Sequence, residues 1–155
     1  MKYRILWPGK TKNQEIKRLQ EFYLERINHL ERCEIVQTKE ARGIDERFAR
    51  RIKEVEAEAI KRHLKDDYLI CLSERGKEMS SVEFARFLGQ LSSSSTRGVT
   101  FVLGGFLGLS EEMLKRADFI LSLSRMTFSH EMSRIVLLEQ IYRALTLLKG
   151  RQYAK

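Results

Sequence analysis

Residues 98–150 read GVTFVLGGFLGLSEEMLKRADFILSLSRMTFSHEMSRIVLLEQIYRALTLLKG, and this stretch decides the fold. Two short apolar runs, over 99–103 and 119–123, each stop at a break of small residues. Gly104, Gly105 and Gly108 follow the first run, and Ser122, Ser124 and Thr127 cluster at the end of the second. Short apolar runs bounded by turn residues read as buried strands. A long apolar helix over 130–148 closes the segment. Glycine- and serine-rich turns at the ends of neighbouring buried strands are where an α/β sheet holds a cofactor. The segment therefore predicts both a parallel sheet and a cleft beside it.

The upstream chain repeats the alternation. Strands are expected over 3–7, 34–38 and 68–72, the last fully buried, with helices between them. Asn13 is placed to cap a helix carrying Ile16, Leu19, Tyr23, Ile27 and Leu30 at helical spacing. A charged helix over 45–64 carries Phe48, Ile52, Val55 and Ala59 on one stripe. Ser80 and Glu83 form a capping box, and Ser110 with Glu111 and Glu112 opens a short helix. Strands alternating with helices predict an α/β fold, a mainly parallel sheet covered on both faces, in a single domain spanning 1–155.

The last helix is apolar around too wide an arc to face one surface. Ile135, Leu138, Tyr142 and Leu145 make one stripe, while Val136, Leu137, Ile141, Ala144 and Leu148 fill much of the rest. Such a helix is buried on two sides. The second side is expected to be another subunit, giving a homodimer; a central helix within one chain is the alternative.

Lys plus Arg number 29 against 21 acids, a net charge of +8, in a chain of 155 residues that is 43% hydrophobic. The excess points to a polyanionic partner, nucleic acid before membrane, since no helix pairs a basic face with an exposed apolar one. No apolar run is long enough to span a bilayer, and the start has no signal-peptide pattern. Cys33 and Cys71 are far apart and form neither a disulfide framework nor a metal pattern, which suits a reducing, cytoplasmic setting.

Two nucleotide motifs fail. The glycines at 104, 105 and 108 do not match the dinucleotide fingerprint, and the acid expected at the end of the next strand is absent, Asp118 standing at its other end. Gly9-Lys10-Thr11 lacks the upstream glycine of a phosphate-binding loop. Tandem glycines still let a ligand approach the main chain, and a purine could lie between them and the loop 123–128, against Leu72, Met126 and Phe128. His130 opens the last helix with Arg134 one turn on, a pairing that suits an anion; a merely capping histidine is the alternative. Tyr153, in the tail Arg151-Gln152-Tyr153-Ala154-Lys155, is the tail's only group able to stack on a base or handle a proton.

Taken jointly, three runs resemble one family: Phe-Val-Leu-Gly-Gly-x-x-Gly-Leu-Ser (101–110), Leu-Ser-Leu-Ser-Arg-Met-Thr-Phe-Ser-His (121–130), and Arg134 followed by Glu-Gln-Ile-Tyr-Arg-Ala (139–144). They are similar to the RlmH family of the SPOUT superfamily, ribosomal large-subunit RNA methyltransferases that modify N3 of a pseudouridine. The likeness covers the whole chain and is densest after Gly98. It implies an α/β knot with a C-terminal trefoil (about 67–155), a homodimer, and S-adenosylmethionine held in the knot. Carried over by motif, the cofactor contacts are Leu72, Gly104, Leu123, Ser124, Arg125, Met126, Thr127 and Phe128. His130, Arg134 and Tyr153 are then the catalytic or substrate-side candidates, and the implied partner is 23S ribosomal RNA of the assembled ribosome. Three positions depart from the family pattern: Phe106 follows the double glycine, Ser129 precedes the histidine, and Ala154 stands where the family has histidine. The last motivates an alternative, a ribosome- or RNA-binding protein that holds the cofactor with weak or altered methyl transfer.

Overall fold

The computed structural model describes residues 1–94 and 96–152. Five strands, β1 (Lys2–Pro8), β2 (Arg32–Thr38), β3 (Tyr68–Glu78), β4 (Gly98–Val102) and β5 (Phe119–Ser122), form one sheet in the order β2-β1-β4-β3-β5. Every pairing is parallel. Period-two alternation splits the core between its faces. Tyr3, Ile5 and Trp7 of β1 pack with α1 (Gln14–Asn28), α3 (Ser81–Ser93) and α5 (His130–Leu148). Leu6, Cys71 and Val102 point the other way, onto α2 (Ala49–Lys61) and α4 (Glu111–Arg116). Both cysteines are free and buried, and burial pushes each thiol up to about 12.

The expected caps form. Asn13 accepts from the Ile16 amide at 3.1 Å and Ser110 from Met113 at 3.2 Å. Ser80 and Glu83 exchange both bonds of the capping box. Three boundaries differ from expectation. The helix expected over 45–64 is a 3-10 turn, Glu46–Phe48, closed by Asp45 accepting from Arg47 N, followed by α2. Phe48 leaves the helical stripe and is 53% exposed. β3 runs on to Glu78, and only Leu69, Ile70 and Cys71 are buried in it. Its polar second half carries no apolar signal, and it is held by β5 across a shift that pairs Leu121 with both Leu72 and Lys77.

A further correction concerns the strands that carry the two turns. β4 and β5 are not neighbours: β3 lies between them and pairs with both. The second covered side of α5 also has a source inside the chain. The helix lies against both α1 and α3, and Leu137, Leu138, Ile141 and Ala144 are buried without any partner chain. Tyr142 packs beside Tyr23 of α1, ring centroids 6.4 Å apart. Cover within the chain thus accounts for much of the apolar arc, while Leu148 stays exposed and Val136 and Tyr142 part-buried. No helix among the described residues is long and apolar enough to cross a membrane.

Candidate functional site

A cleft of about 440 Å³ opens beyond the C-terminal ends of β3, β4 and β5, within the range of small-molecule sites. Its floor is the turn 104–108. Gly108 sits at φ +83° and its amide donates to the Gly105 carbonyl at 3.0 Å, closing the chain on itself. Gly104 lies so close to Gly108 that a Cβ there would meet the Gly108 Cα at 2.7 Å. The turn is therefore packed tightly on itself, and it lines the cleft with three glycines beside Phe106 and Leu107. The wall opposite is the loop after β5, shaped by Ser122 donating to the Ser124 carbonyl at 3.0 Å and Ser124 accepting from Met126 N at 2.9 Å.

Of the eight expected cofactor contacts, Leu72, Gly104, Leu123, Ser124, Met126, Thr127 and Phe128 line this one cleft. Arg125 is exposed and outside the lining. Although β4 and β5 are separated, the part of β3 that lies between them reaches the cleft at Leu72, and residues of both turns line the same space. Phe106 stands at the rim, 56% exposed, and does not fill the gap. Backbone-rich turns facing apolar Leu72, Met126 and Phe128 suit an adenosyl group: amides and carbonyls for the base edge, apolar contact for its face. Asp118, the one acid on the expected strand, accepts from Leu69 N at 2.8 Å at the far end of the sheet, so no ribose-binding carboxylate of the dinucleotide type is present there.

His130 lines the cleft from the first turn of α5, where Ser129 caps the helix by accepting from Met132 N at 3.2 Å. Burial and the nearby Arg134 hold its imidazole below the ordinary histidine value, so it is neutral at neutral pH. Arg134 itself does not reach the cleft, which corrects the substrate-side role expected for it. Its side chain is 0% exposed. It donates to Thr11 Oγ1 at 3.0 Å and to the Pro8 carbonyl at 2.8 Å, and lies 4.7 Å from the Trp7 ring. Burial lowers it to about 10, which leaves it charged at neutral pH. Glu131 completes the attachment by accepting from Lys12 N at 2.8 Å and Asn13 N at 3.1 Å. The start of α5 is thereby bound to the loop after β1. Tyr153 and Ala154 lie outside the described residues.

Sequence reasoning missed two parts of the cleft. Ser73, Glu74 and Arg75, from the looped-out part of β3, form one edge, with Arg75 donating to Glu111 at 2.7 Å. Lys53 of α2 forms another. Neither carried a signal, because polar residues past an apolar run and a lysine on a charged helix both read as solvated surface.

Comparison with known proteins bears on this arrangement. The family model described as "Predicted SPOUT methyltransferase" matches residues 1–154. The Ribosomal RNA large subunit methyltransferase H of Thermodesulfovibrio yellowstonii is 39% identical over 152 residues, spanning 98% of this chain and 97% of that protein. The protein of the same name from Clostridium kluyveri is 38% identical and matched over 100% of both chains. Among solved structures, a probable methylase family protein from Haemophilus influenzae superposes with a TM-score of 0.56 at 15% identity, covering 99% of this chain and 70% of the other. A probable methyltransferase from Bordetella pertussis gives 0.55 at 13% identity, covering 92% and 95%. At such identities the structures share the fold.

Proposed function

The chain belongs to the SPOUT methyltransferase family, and from that premise we propose that it transfers a methyl group from S-adenosylmethionine to N3 of a pseudouridine in 23S large-subunit ribosomal RNA of the assembled ribosome. The observation that carries this reading is the convergence of the 104–108 turn, Leu72 and the 123–128 loop on one cleft. A glycine-rich turn on one side and apolar Leu72, Met126 and Phe128 on the other suit an adenosyl donor. The names of the relatives from T. yellowstonii and C. kluyveri support ribosomal RNA as the acceptor. Their coverage of the full chain supports the same for this protein, and the net charge of +8 agrees with it.

When bound, S-adenosylmethionine would be held by Leu72, Gly104 and the loop 123–128 and would supply an electrophilic methyl group on its sulfonium, leaving as S-adenosylhomocysteine. The chain's own work is positioning and proton handling. Gly104 and the loop 123–128 orient the donor, a contribution of proximity and alignment. The ring N–H must lose its proton in the same step, and neutral His130 is the cleft group suited to receive it. Arg134 holds the start of α5 in place from beneath and disfavours protonation of that imidazole. Tyr153 stays a proposed substrate-side group. A homodimer and a trefoil knot over about 67–155 belong to the same proposal.

Incubation with labelled S-adenosylmethionine and ribosomes lacking the modification tests the reading. Label in a pseudouridine of 23S RNA is expected; ribosomes bound but unlabelled would favour the binding-only alternative. The proton role has its own test. Because the folded imidazole titrates below its ordinary value, turnover should fall only as pH drops beneath the usual histidine range. His130→Gln should lose that acidic limb and about 10²-fold in kcat, with S-adenosylhomocysteine affinity held. An unchanged pH–rate profile in the variant would assign the proton to another group.

A further inference from the structure

The 3-10 turn and first turns of α2 hold a feature that neither packing nor capping explains. Phe48 is 53% exposed, although its spacing with Ile52 and Val55 would suit a core stripe. It stands at the N-cap of α2 and makes no side-chain cap bond, where Ser or Asp would contribute one. The exposed residues next to it in sequence are Asp45, Glu46, Arg47, Arg50 and Arg51, and the Arg47 guanidinium lies 5.3 Å from the Phe48 ring centroid. Arg47 and Arg50 pair with Asp45 and Glu54, but at side-chain exposures of 76% and 95% those pairs are solvated and readily exchanged for another anion.

Lys53 follows one turn after Arg50 and enters the wall of the cleft. The acids of α2 near it are each engaged elsewhere. Glu54 accepts from Arg50 at 3.1 Å, Glu56 from Ala41 N at 3.2 Å, and Glu58 from Lys61 at 2.9 Å. Among the described residues no carboxylate lies within ion-pair distance of Lys53. Lys53 is part-buried and lines the cleft together with Glu74 and Glu111 without pairing with either, so its charge is open to an anion. An exposed aromatic ring among arginines is a surface on which an unpaired base stacks while its phosphates are neutralised.

We infer that this edge of α2 is the RNA-recognition track of the enzyme. Phe48 stacks an unpaired base flanking the target, Arg47, Arg50 and Arg51 follow the phosphates, and Lys53 holds the phosphate beside the nucleotide in the cleft. The inference rests on the ribosomal RNA methyltransferase reading above. Charge complementarity favours RNA over a second copy of this basic chain as the occupant.

The test is methylation of unmodified ribosomes by the full chain carrying Phe48→Ala or Lys53→Met, with KM and kcat measured separately at several salt concentrations. S-adenosylhomocysteine affinity, oligomeric state and thermal midpoint are read alongside. Each substitution is expected to raise KM for ribosomes about tenfold, with kcat and S-adenosylhomocysteine affinity kept. Lys53→Met should also make log KM about one unit less steep against log salt. Unchanged KM in both variants, beside a wild-type chain that methylates, overturns the track alone. A changed oligomeric state in Phe48→Ala assigns the face to a second copy, and weakened S-adenosylhomocysteine binding in Lys53→Met assigns that lysine to the donor; either overturns it. A wild-type chain that labels no ribosomes overturns the underlying reading, and the track with it.

Discussion

Gly104→Val is expected to remove donor binding and activity together, lowering S-adenosylhomocysteine affinity by at least about 100-fold. The cause lies inside the turn. A Cβ at Gly104 would come within 2.7 Å of both the Gly108 Cα and its carbonyl oxygen, closer than real Cβ atoms approach backbone. Neither neighbour is the movable end of a side chain, so the segment 104–108 must open. Opening costs the bond from Gly108 N to the Gly105 carbonyl and displaces the start of α4, which Ser110 caps two residues on. A side chain intruding on the ligand's approach is the other cause by which a substitution here would act. The two causes separate in Gly104→Ala. A methyl that merely intruded on the ligand would weaken binding modestly, whereas one that breaks the turn acts nearly as strongly as valine. Calorimetric titration of both variants, with near-ultraviolet dichroism to follow the turn, decides. Wild-type affinity in Gly104→Ala would show that the turn adapts and the argument fails.

The residues that made the site legible were those whose type has few other uses. Tandem glycines after an apolar run, and serines after another, named both walls of the cleft before any strand order was known. The order itself was not legible. Nothing in the apolar run over 68–72 says that β3 inserts between β4 and β5, because a buried strand carries the same pattern on either side. The wide apolar arc of α5 showed burial but not what covers it; α1 and α3 supply much of the cover within one chain, and Leu148 stays exposed. Phe48 was misread for a related reason. Helical spacing places it on a stripe only if the helix extends through it, and the Asp45-capped 3-10 turn ends that continuity. Periodicity reports the apolar faces of regular elements and is silent on short irregular stretches such as the 73–75 edge and on polar residues of a helix such as Lys53 of α2, and both meet the cleft.

Arg134 gives the second large effect and the sharper contrast between sequence and structure. At the sequence level it pairs with His130 on one face of a helix start and reads as an anion-binding group. Buried, it is a strut: Nη1 to Thr11, Nη2 to the Pro8 carbonyl, the guanidinium over Trp7, and Thr11 passed on to Gln20 at 2.6 Å. Arg134→Met removes the donors and leaves Pro8 O and Thr11 Oγ1 short of a partner in the interior. It also removes a cation that Glu131, Glu40 and Glu56 all feel, though Glu40 keeps Lys12 and Arg42. Leaving two interior oxygens without this donor is expected to cost about 1–3 kcal/mol each, a large fraction of what a domain of this size has to lose. Arg134→Lys keeps the charge but not the two-pronged geometry and should recover only part of the loss. Urea unfolding of the two variants measures this directly. A group that met RNA phosphate would instead give a stable protein with raised KM for ribosomes and an altered salt dependence. A stable Arg134→Met chain with that kinetic signature would return Arg134 to the substrate side and require the start of α5 to rearrange when RNA binds.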